Sequence, residues 1–390
     1  MIMKTSFMHE LNNIDKLLIR KKMKIGTITF WYSKENYGAM LQCFALLRYL
    51  NQNGHDAKLI KAKIQPWSDV KYKLFYFLTN SLTRRILRRK KIQDKGGDVP
   101  ATYNAVDRKF GNFLNTHIPS FPSVYTYEDL NNSPINVDAV IVGSDQVWGG
   151  FSNTYFLNFK GDFKRISYAA SFGGAEFDNP FIRRKISKWL KRFDLVTVRE
   201  QEGIDKCKKF GIEATLVADP TLLLDMGDYN EVADNKGYEC GKPYIFLYLL
   251  GKNISVEVAE IFEFAKSNNL DIVYVASQGR EDEFEKKYPT VEEWLAMVRD
   301  AKYVITNSFH GTALSLIYEK PFLTFPLIGR DSRMNCRIET MLERYHLSDR
   351  IFKSSLDELL RPVVFDYFEE MKAKDNKQVK GLLDAILKTT

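Results

Sequence analysis

The feature that most constrains this chain is the repeated alternation of short apolar runs with helical patterns. Apolar runs typical of buried strands occur at 25–30, 57–60, 137–142, 165–171, 195–198 and 215–218, and again at 244–250, 272–276, 303–306 and 322–326. Several segments between them, such as 38–52, 180–193 and 255–267, carry apolar residues every three or four positions. Strands that alternate with helices predict parallel sheets with helices on both faces.

A polar stretch at 224–242 interrupts this alternation and predicts two α/β units that face each other across a cleft. We expect a first Rossmann-like domain at 23–225, a second at 240–365 and a C-terminal helix at 366–390. Residues 1–22 have neither a strand pattern nor the long apolar core of a signal peptide, so we expect an N-terminal extension there. Ligands of such sheets bind at the carboxyl ends of the strands.

Composition narrows the class of protein. The chain has 390 residues, of which 45% are hydrophobic and 27% charged, so a sizeable folded core is expected. The four cysteines are widely spaced, which argues against a disulfide scaffold or a structural zinc site and favours a reduced, cytoplasmic compartment. Since no run of about 18 apolar residues is present, no membrane-spanning helix is expected. No cluster of metal-ligating residues stands out, and we expect no metal site.

The net charge of +8 comes from one segment. Residues 71–95 hold nine basic residues and one acidic residue, so the rest of the chain is balanced, which argues against a protein that coats nucleic acid. Apolar and aromatic residues at 74–78 precede the basic run that ends at Lys91. Two interpretations of 74–91 stay open: peripheral contact with an anionic membrane at its inner face, or a solvated insertion spanning 70–100.

Two turns in the first unit place notable residues directly after expected strands. Gly38 opens a helix, where it suits either the approach of a ligand or a tight structural turn. Asp145 follows the strand that ends at Val142, where its carboxylate could accept a proton from a sugar hydroxyl while Trp148 stacks on the sugar face. The alternative is that Ser144 or Asp145 caps a helix and Trp148 belongs to the core.

A cation and a carboxylate follow the next expected strands. Arg199 comes just after the run at 195–198, where a guanidinium can bind a carboxylate or phosphate through two hydrogen bonds. It can equally be a surface residue paired with Glu200 or Glu202. Asp219 precedes Pro220, a pattern typical of a helix cap followed by proline in the first turn.

His310 has the most informative setting of the five histidines. A strand is expected to end at Thr306 and a helix to begin near Gly311, so His310 would lie at a helix N-terminus. Free N–H groups and the helix dipole favour anions there. The alternative is a capping or core histidine. Downstream, Arg333 and Arg337 could complete an anion site or form a solvated basic face.

Six short motifs, in this order, resemble those of the polysaccharide pyruvyl transferase family. They span roughly residues 23–350 of the chain. The motifs are Asn36-Tyr37-Gly38-Ala39 with Leu41-Gln42, Gly143-Ser144-Asp145-Gln146-Val147-Trp148, Ser167-Tyr168-Ala169-Ala170-Ser171-Phe172-Gly173, Val198-Arg199-Glu200, Asp219-Pro220-Thr221 and Thr306-Asn307-Ser308-Phe309-His310-Gly311.

The resemblance implies a two-domain fold similar to GT-B glycosyltransferases and an enzyme whose donor substrate is phosphoenolpyruvate, with no cofactor. Such enzymes move the pyruvyl group onto two hydroxyls of one sugar and release phosphate. The product is a cyclic ketal in a surface polysaccharide, often made while the acceptor is on a lipid carrier.

The resemblance also implies which residues form the site. The expected catalytic residues are His310, as general acid or phosphate ligand, and Asp145, as the base. The expected donor side comprises Arg199, Ser308, Gly311, Arg333 and Arg337. The expected acceptor side comprises Asn36, Tyr37, Gly38, Gln42, Gln146 and Trp148.

At Ser308 the chain departs from another branch of the family, which has an arginine two residues before the histidine. A second donor arginine must then come from elsewhere, and we expect Arg337 or Arg333. Two alternatives stay open: a nucleotide-sugar-dependent GT-B glycosyltransferase and a non-catalytic, glycan-binding member of the family. No acidic residue is placed to bind a ribose near His310, which counts against the first. Retention of His310 and Arg199 counts against the second.

Overall fold

The computed structural model describes residues 22–63, 106–251, 254–277, 279–280 and 282–387. The basic segment at 71–95 and nearly all of the extension expected at 1–22 lie outside the described residues. Among the helices that are described, each is too short or too polar to cross a bilayer.

A sheet of seven parallel strands forms the first domain: β1 (Lys24–Ile28), β2 (Asp56–Ala62), β3 (Ser120–Tyr125), β4 (Ala139–Val142), β5 (Lys164–Ala170), β6 (Leu195–Val198) and β7 (Thr215–Leu216). Their order across the sheet is β3-β2-β1-β4-β5-β6-β7. Every residue of the central strand β4 is buried, as expected for a parallel sheet covered on both faces. Because all strands are parallel, their carboxyl ends meet at one edge.

The helices of the first domain are α1 (Tyr37–Gln52), α2 (Phe110–His117), α3 (Tyr127–Asn132), α4 (Pro180–Leu190), α5 (Gln201–Lys209) and α6 (Met226–Asn230). Asn36 caps α1 by accepting a hydrogen bond from the backbone N–H of Ala39. Most residues of α1 are buried on all sides because this helix lies between the first sheet and the second domain.

The second domain has four parallel strands, β8 (Tyr244–Tyr248), β9 (Asp271–Tyr274), β10 (Tyr303–Thr306) and β11 (Phe322–Thr324), in the order β11-β10-β8-β9. Its helices are α7 (Val258–Ser267), α8 (Val291–Asp300), α9 (Phe309–Ile317) and α10 (Asn335–Arg344). A capping box opens α8, where the side chains of Thr290 and Glu293 each accept a hydrogen bond from the backbone N–H of the other.

Short 3₁₀ helices occur at Pro220–Leu222, Gly329–Met334, Ser348–Arg350 and Leu356–Leu360. The last helix, α11 (Asp366–Leu387), returns to the first domain. Lys372 forms an ion pair of 2.6 Å with Asp225, and Gln378 donates a hydrogen bond to the carbonyl of Leu216. Two Rossmann-like domains with a C-terminal helix that returns to the first constitute the GT-B arrangement.

Aromatic residues join the two domains. Tyr37, at the start of α1, stacks on Trp294 of α8 with 5.3 Å between the ring centroids, and its hydroxyl donates to the carbonyl of Pro289. Tyr248, at the end of β8, packs edge-on against Tyr37 at 5.8 Å. The N-terminus of α1 is therefore held against the second domain.

Candidate active site

Charged side chains from both domains converge at the carboxyl edge of the first sheet. Asp145 follows β4, Arg199 follows β6 and Asp219 follows β7. His310, in the first turn of α9, and Arg337, in the first turn of α10, approach from the second domain. We call these five residues the interdomain cluster.

Arg199 lies at the centre of the interdomain cluster, with a side chain that is 1% exposed. It donates hydrogen bonds to Asp219 over 2.8 Å and to Asp145 over 3.2 Å, and its Nε atom is 3.6 Å from a carboxylate oxygen of Glu200. Its guanidinium also lies over the ring of Phe309. Burial acts to lower the pKa of Arg199, but the carboxylates outweigh it and raise that pKa above the ordinary value.

Asp219 links the arginine to the histidine. One carboxylate oxygen accepts from Arg199, and the other accepts from the backbone N–H and the hydroxyl of Thr221. The predicted cap at the 3₁₀ helix that begins with Pro220 is thereby confirmed. Burial opposes ionisation, yet Arg199 and His310 lower the pKa of Asp219, so the carboxylate stays charged.

His310 is buried beside Asp219. Its Nε2 atom is 4.0 Å from the Asp219 carboxylate, too far for a hydrogen bond, and it has no hydrogen-bond partner among the described residues. Burial lowers the pKa of His310 although Asp219 and Asp145 act to raise it, so the imidazole is neutral at neutral pH. A buried, unpartnered ring nitrogen is available to a ligand or a proton.

Gly38 makes room for this imidazole. A Cβ atom at position 38 would lie 2.1 Å from Nδ1 of His310, so any side chain there would displace the imidazole. Gly38 therefore allows α1 to pack closely against α9. The close approach that the sequence suggested at Gly38 is made to the side chain of His310.

Arg337 reaches the interdomain cluster, whereas Arg333 stays at its rim. Arg337 is 9% exposed, and its Nε atom donates to the carbonyl of Met334. Among the described residues, no carboxylate oxygen lies within 4.0 Å of the Arg337 guanidinium, so Arg337 forms no ion pair there. Burial and the neighbouring charge of Arg199 lower the pKa of Arg337, as expected for a cation without a close counterion. Arg333 is exposed.

Besides Asp219, Glu200 is a second buried carboxyl group with a shifted pKa. Burial raises the pKa of Glu200, against the effects of Arg199 and of a hydrogen bond from Ser171. One carboxylate oxygen of Glu200 is buried without a hydrogen-bond partner in the described part of the chain. Protonation of this carboxyl is therefore easier than that of Asp219, which carries the opposite shift.

Ser308 and Gly311 shape the start of α9. The Ser308 hydroxyl accepts a hydrogen bond from the backbone N–H of Gly311, which makes Ser308 the helix cap. A Cβ atom at Gly311 would lie 2.7 Å from the hydroxyl of Thr306, so glycine allows the helix to begin close to β10. The structure gives these two residues roles within the fold that orient His310.

Gln42, Tyr37 and Asn36 of the expected acceptor side are engaged within the protein. Gln42 is fully buried, donates to the hydroxyl of Thr29 over 2.9 Å and accepts from the hydroxyl of Ser144 over 3.1 Å. Tyr37 belongs to the aromatic contact between the domains, and Asn36 caps α1. Gln42 therefore fixes the loop that carries Asp145, and of these three side chains only that of Asn36 is exposed.

Trp148 is placed in the core rather than in a sugar site. Its side chain is fully buried, its ring stacks on Phe156 with centroids 5.6 Å apart, and its indole N–H donates to the carbonyl of Tyr155. Neither face is open to a sugar, so the core alternative for Trp148 applies. Gln146 is half-buried and reaches across the cleft to the sulfur of Met334.

Sequence reasoning assigned Asp219 only a capping role and gave Glu200 none beyond pairing. The available signal was position, since both residues follow the carboxyl ends of strands at the same sheet edge as Asp145. Among the residues that the structure describes, no three His, Cys, Asp or Glu side chains are grouped so as to hold a metal ion.

The fold and this site define a two-domain α/β protein of GT-B architecture with a buried, charged cluster between its domains. The sequence matches the family model for polysaccharide pyruvyl transferases over residues 36–327. The chain belongs to that family, and so to a class of transferases in polysaccharide biosynthesis. A comparison with curated proteins found no match.

Several solved structures are similar to this chain at low sequence identity. UDP-GlcNAc 2-epimerase from Neisseria meningitidis, bound to UDP-GlcNAc, is 11% identical with a TM-score of 0.48, covering 94% of this chain and all of that one. The same enzyme from Methanocaldococcus jannaschii is 12% identical with a TM-score of 0.46, covering 92% and 99%. Arabidopsis thaliana UGT89C1, complexed with UDP-L-rhamnose, is 10% identical with a TM-score of 0.46, covering 94% and 100%.

Proposed function

We propose that the protein is a ketal pyruvyl transferase that moves the pyruvyl group of phosphoenolpyruvate onto two hydroxyls of a sugar in a surface polysaccharide. One sugar oxygen bonds to C2 of phosphoenolpyruvate while the methylene carbon of phosphoenolpyruvate takes up a proton. The bond from C2 to the phosphate oxygen then breaks, and the second sugar oxygen bonds to C2. Two hydroxyl protons leave, one proton reaches carbon and one reaches phosphate, so the products are the ketal and inorganic phosphate.

The observation that carries this proposal is the unpaired charge of Arg337. A guanidinium stays protonated in a protein, and burying it without a counterion costs free energy. An anionic ligand that pairs with Arg337 removes this cost. Phosphoenolpyruvate offers a carboxylate and a phosphate, both of which suit the planar fork of an arginine. Arg333, at the rim, can attract the donor electrostatically.

Arg199 has a different role in this proposal. Three carboxylates already surround it, so a donor carboxylate would have to compete with Asp145 and Asp219 for its N–H groups. We assign it to holding those two aspartates in place. Arg337 then supplies the donor arginine that Ser308 cannot.

His310 is the proposed proton donor. Its imidazole is neutral without a ligand, but a donor with several negative charges beside it raises the pKa and favours the protonated form. The charged Asp219 at 4.0 Å stabilises that imidazolium. From Nε2 the proton can pass to the methylene carbon or to the departing phosphate oxygen.

Asp145 is the proposed base for the acceptor hydroxyl. One of its oxygens accepts from Arg199, and no donor to the other is found within the described residues. That free oxygen can take a hydroxyl proton from a sugar placed at the carboxyl end of β4. The acceptor itself can be free or lipid-linked, and both forms belong in the assay.

The test is phosphate release from phosphoenolpyruvate with a panel of sugars, supplied free and on a polyprenyl carrier. We expect release that needs both substrates and is lost in Arg337→Gln. Arg184→Gln is the control, since it removes an exposed arginine of α4, outside the interdomain cluster, and should keep the activity. Ligand at about 100 times its dissociation constant should raise the unfolding free energy by about 2.7 kcal/mol.

Two outcomes would contradict the proposal. If UDP stabilises the protein and phosphoenolpyruvate does not, glycosyl transfer from a nucleotide sugar becomes the better function. If Arg337→Gln binds and turns over phosphoenolpyruvate as the unmodified protein does, the buried arginine is not part of the donor site.

A further inference from the structure

A cavity separate from the interdomain cluster has walls that include none of the five cluster residues. It has a volume of about 410 Å³, within the range of small-molecule sites in proteins. Its walls come mainly from the loop that follows β1, from residues 106–108 and from α2. Its lining includes Trp31, Tyr32, Lys34, Glu35, Arg108 and Asn115.

The cavity and the interdomain cluster share one edge of the first sheet. β1 pairs in parallel with β4, so the loop after β1 and Asp145 emerge side by side. The wall residue Glu35 is three residues before Gly38, which touches His310. Three residues span at most about 11 Å from Glu35 to Gly38, so the rim of the cavity is within the length of one or two sugar units of His310.

Two aromatic residues give the cavity its chemical character. Tyr32 is 71% exposed, and Trp31 packs edge-on against it with centroids 5.6 Å apart. The indole N–H of Trp31 donates to the carbonyl of Ala62, which fixes the ring in place. Tyr32 is exposed and Trp31 is half-buried, and flat rings with adjacent polar groups suit molecules that have both apolar and polar faces.

Polar groups complete the walls. Lys34, Glu35 and Asn115 offer both donors and acceptors, whereas Arg108 lies at the base, where it donates to the carbonyl of Ala276 and covers the Tyr288 ring. Arg108 is already engaged, so the cavity lacks the free buried cation of the donor site. Mixed donors and acceptors around aromatic rings fit a neutral, hydroxyl-rich ligand better than a small anion.

We infer that this cavity binds the acceptor glycan, with Trp31 and Tyr32 stacking on a sugar ring and Lys34, Glu35 and Asn115 bonding its hydroxyls. The inference rests on the proposed function for calling the bound sugar the acceptor. It gives the stacking role to Trp31 in place of the buried Trp148. The sugar unit that reacts then extends from the cavity toward Asp145 and His310.

Sugar binding can be tested without any donor. Saturation-transfer NMR would use methyl β-D-galactoside, methyl β-D-glucoside, methyl α-D-mannoside and their N-acetylamino counterparts. We expect at least one to bind and its signal to be lost in Trp31→Ala and Tyr32→Ala. Phe181→Ala is the control, because Phe181 is an aromatic residue 54% exposed at the start of α4. Tyr32 is so exposed that its replacement should not impair folding.

A transfer assay then separates this inference from the proposed function. With phosphoenolpyruvate and the bound sugar, Tyr32→Ala should raise the acceptor KM by about tenfold and leave the phosphoenolpyruvate KM unchanged. Sugar binding that depends on Trp31 without phosphate release would defeat the proposed function and leave the glycan site standing. Phosphate release with an unchanged acceptor KM in Tyr32→Ala, or no binding of any sugar in the panel, would overturn the glycan site.

Discussion

Gly38 of the first domain lies directly against the imidazole of His310 from the second, so close that a Cβ atom would stand 2.1 Å from Nδ1. This contact couples the orientation of the histidine to the packing of α1 against α9. The neighbouring Tyr37 stacks on Trp294 of α8 and so holds the start of α1 against the second domain. The geometry of the site thus depends on how the domains meet.

The first prediction concerns this contact. In Gly38→Ala the new methyl group must push the imidazole away from its place beside Asp219. We expect kcat for phosphate release to fall about 100-fold, the scale expected when a reacting group moves by about 1 Å. Gly381→Ala is the control, since nothing lies within 4 Å of a Cβ there and the substitution should slightly stabilise α11. Equal activity in both variants would show that His310 tolerates displacement.

The second prediction concerns the charge of Arg199. Removing it in Arg199→Met leaves Asp145 and Asp219 buried without their cation, so the unfolding free energy should fall by about 3–5 kcal/mol. Chemical denaturation would measure this loss. Arg48→Met removes a partly exposed arginine paired with Asp228 and should cost about 1 kcal/mol or less. Similar losses in the two variants would contradict the central role of Arg199.

The strands at the centre of both sheets were predictable because they read as continuous apolar runs. β4 has the sequence Ala-Val-Ile-Val and is buried throughout. β3 lacks such a run. It is an edge strand with largely exposed residues, and it contains Pro122, which is tolerated in an edge strand. The sequence pattern therefore identifies strands that carry an apolar run, including the edge strands β7, β9 and β11, and misses β3, which has none.

The sequence indicated individual residues of the candidate site but not which of them contact each other. Strand ends marked Asp145, Arg199 and His310, but Arg199 is 20 residues from Asp219 and 54 from Asp145. Their contact depends on the order β4-β5-β6-β7 across the sheet, which one sequence does not specify. The same limit applies to Trp148, whose burial is set by Phe156 and Tyr155 in the loop that follows it.

The third prediction separates Trp148 from Trp31. Because Trp148 is fully buried and stacked on Phe156, Trp148→Ala should cost about 3–5 kcal/mol of unfolding free energy. The milder Trp148→Phe should fold and leave the acceptor KM unchanged, whereas Trp31→Phe should raise it. A selective increase of the acceptor KM in Trp148→Phe would return the stacking role to Trp148.

The fourth prediction follows from the neutral, buried state of His310. Its pKa in the folded protein lies below the ordinary value of 6.5, because burial disfavours the imidazolium. Above pH 6.5 neither state binds a proton at this ring, so the histidine adds no pH dependence. Below it the unfolded chain takes up a proton that the folded protein lacks. The unfolding free energy should therefore fall by up to about 1.4 kcal/mol per pH unit until the folded pKa is reached.

His310→Gln isolates this effect. Glu200 has a raised pKa and contributes with the opposite sign as the pH falls, but it is present in both proteins and cancels in the difference. We expect the unmodified protein to lose stability relative to His310→Gln between about pH 7 and pH 5, measured by denaturant unfolding at each pH. Saturating phosphoenolpyruvate should reduce that relative loss, since its charge raises the pKa of the folded histidine. Parallel curves for the two proteins would mean that the pKa of His310 is the same in the folded and unfolded states, which would contradict the prediction.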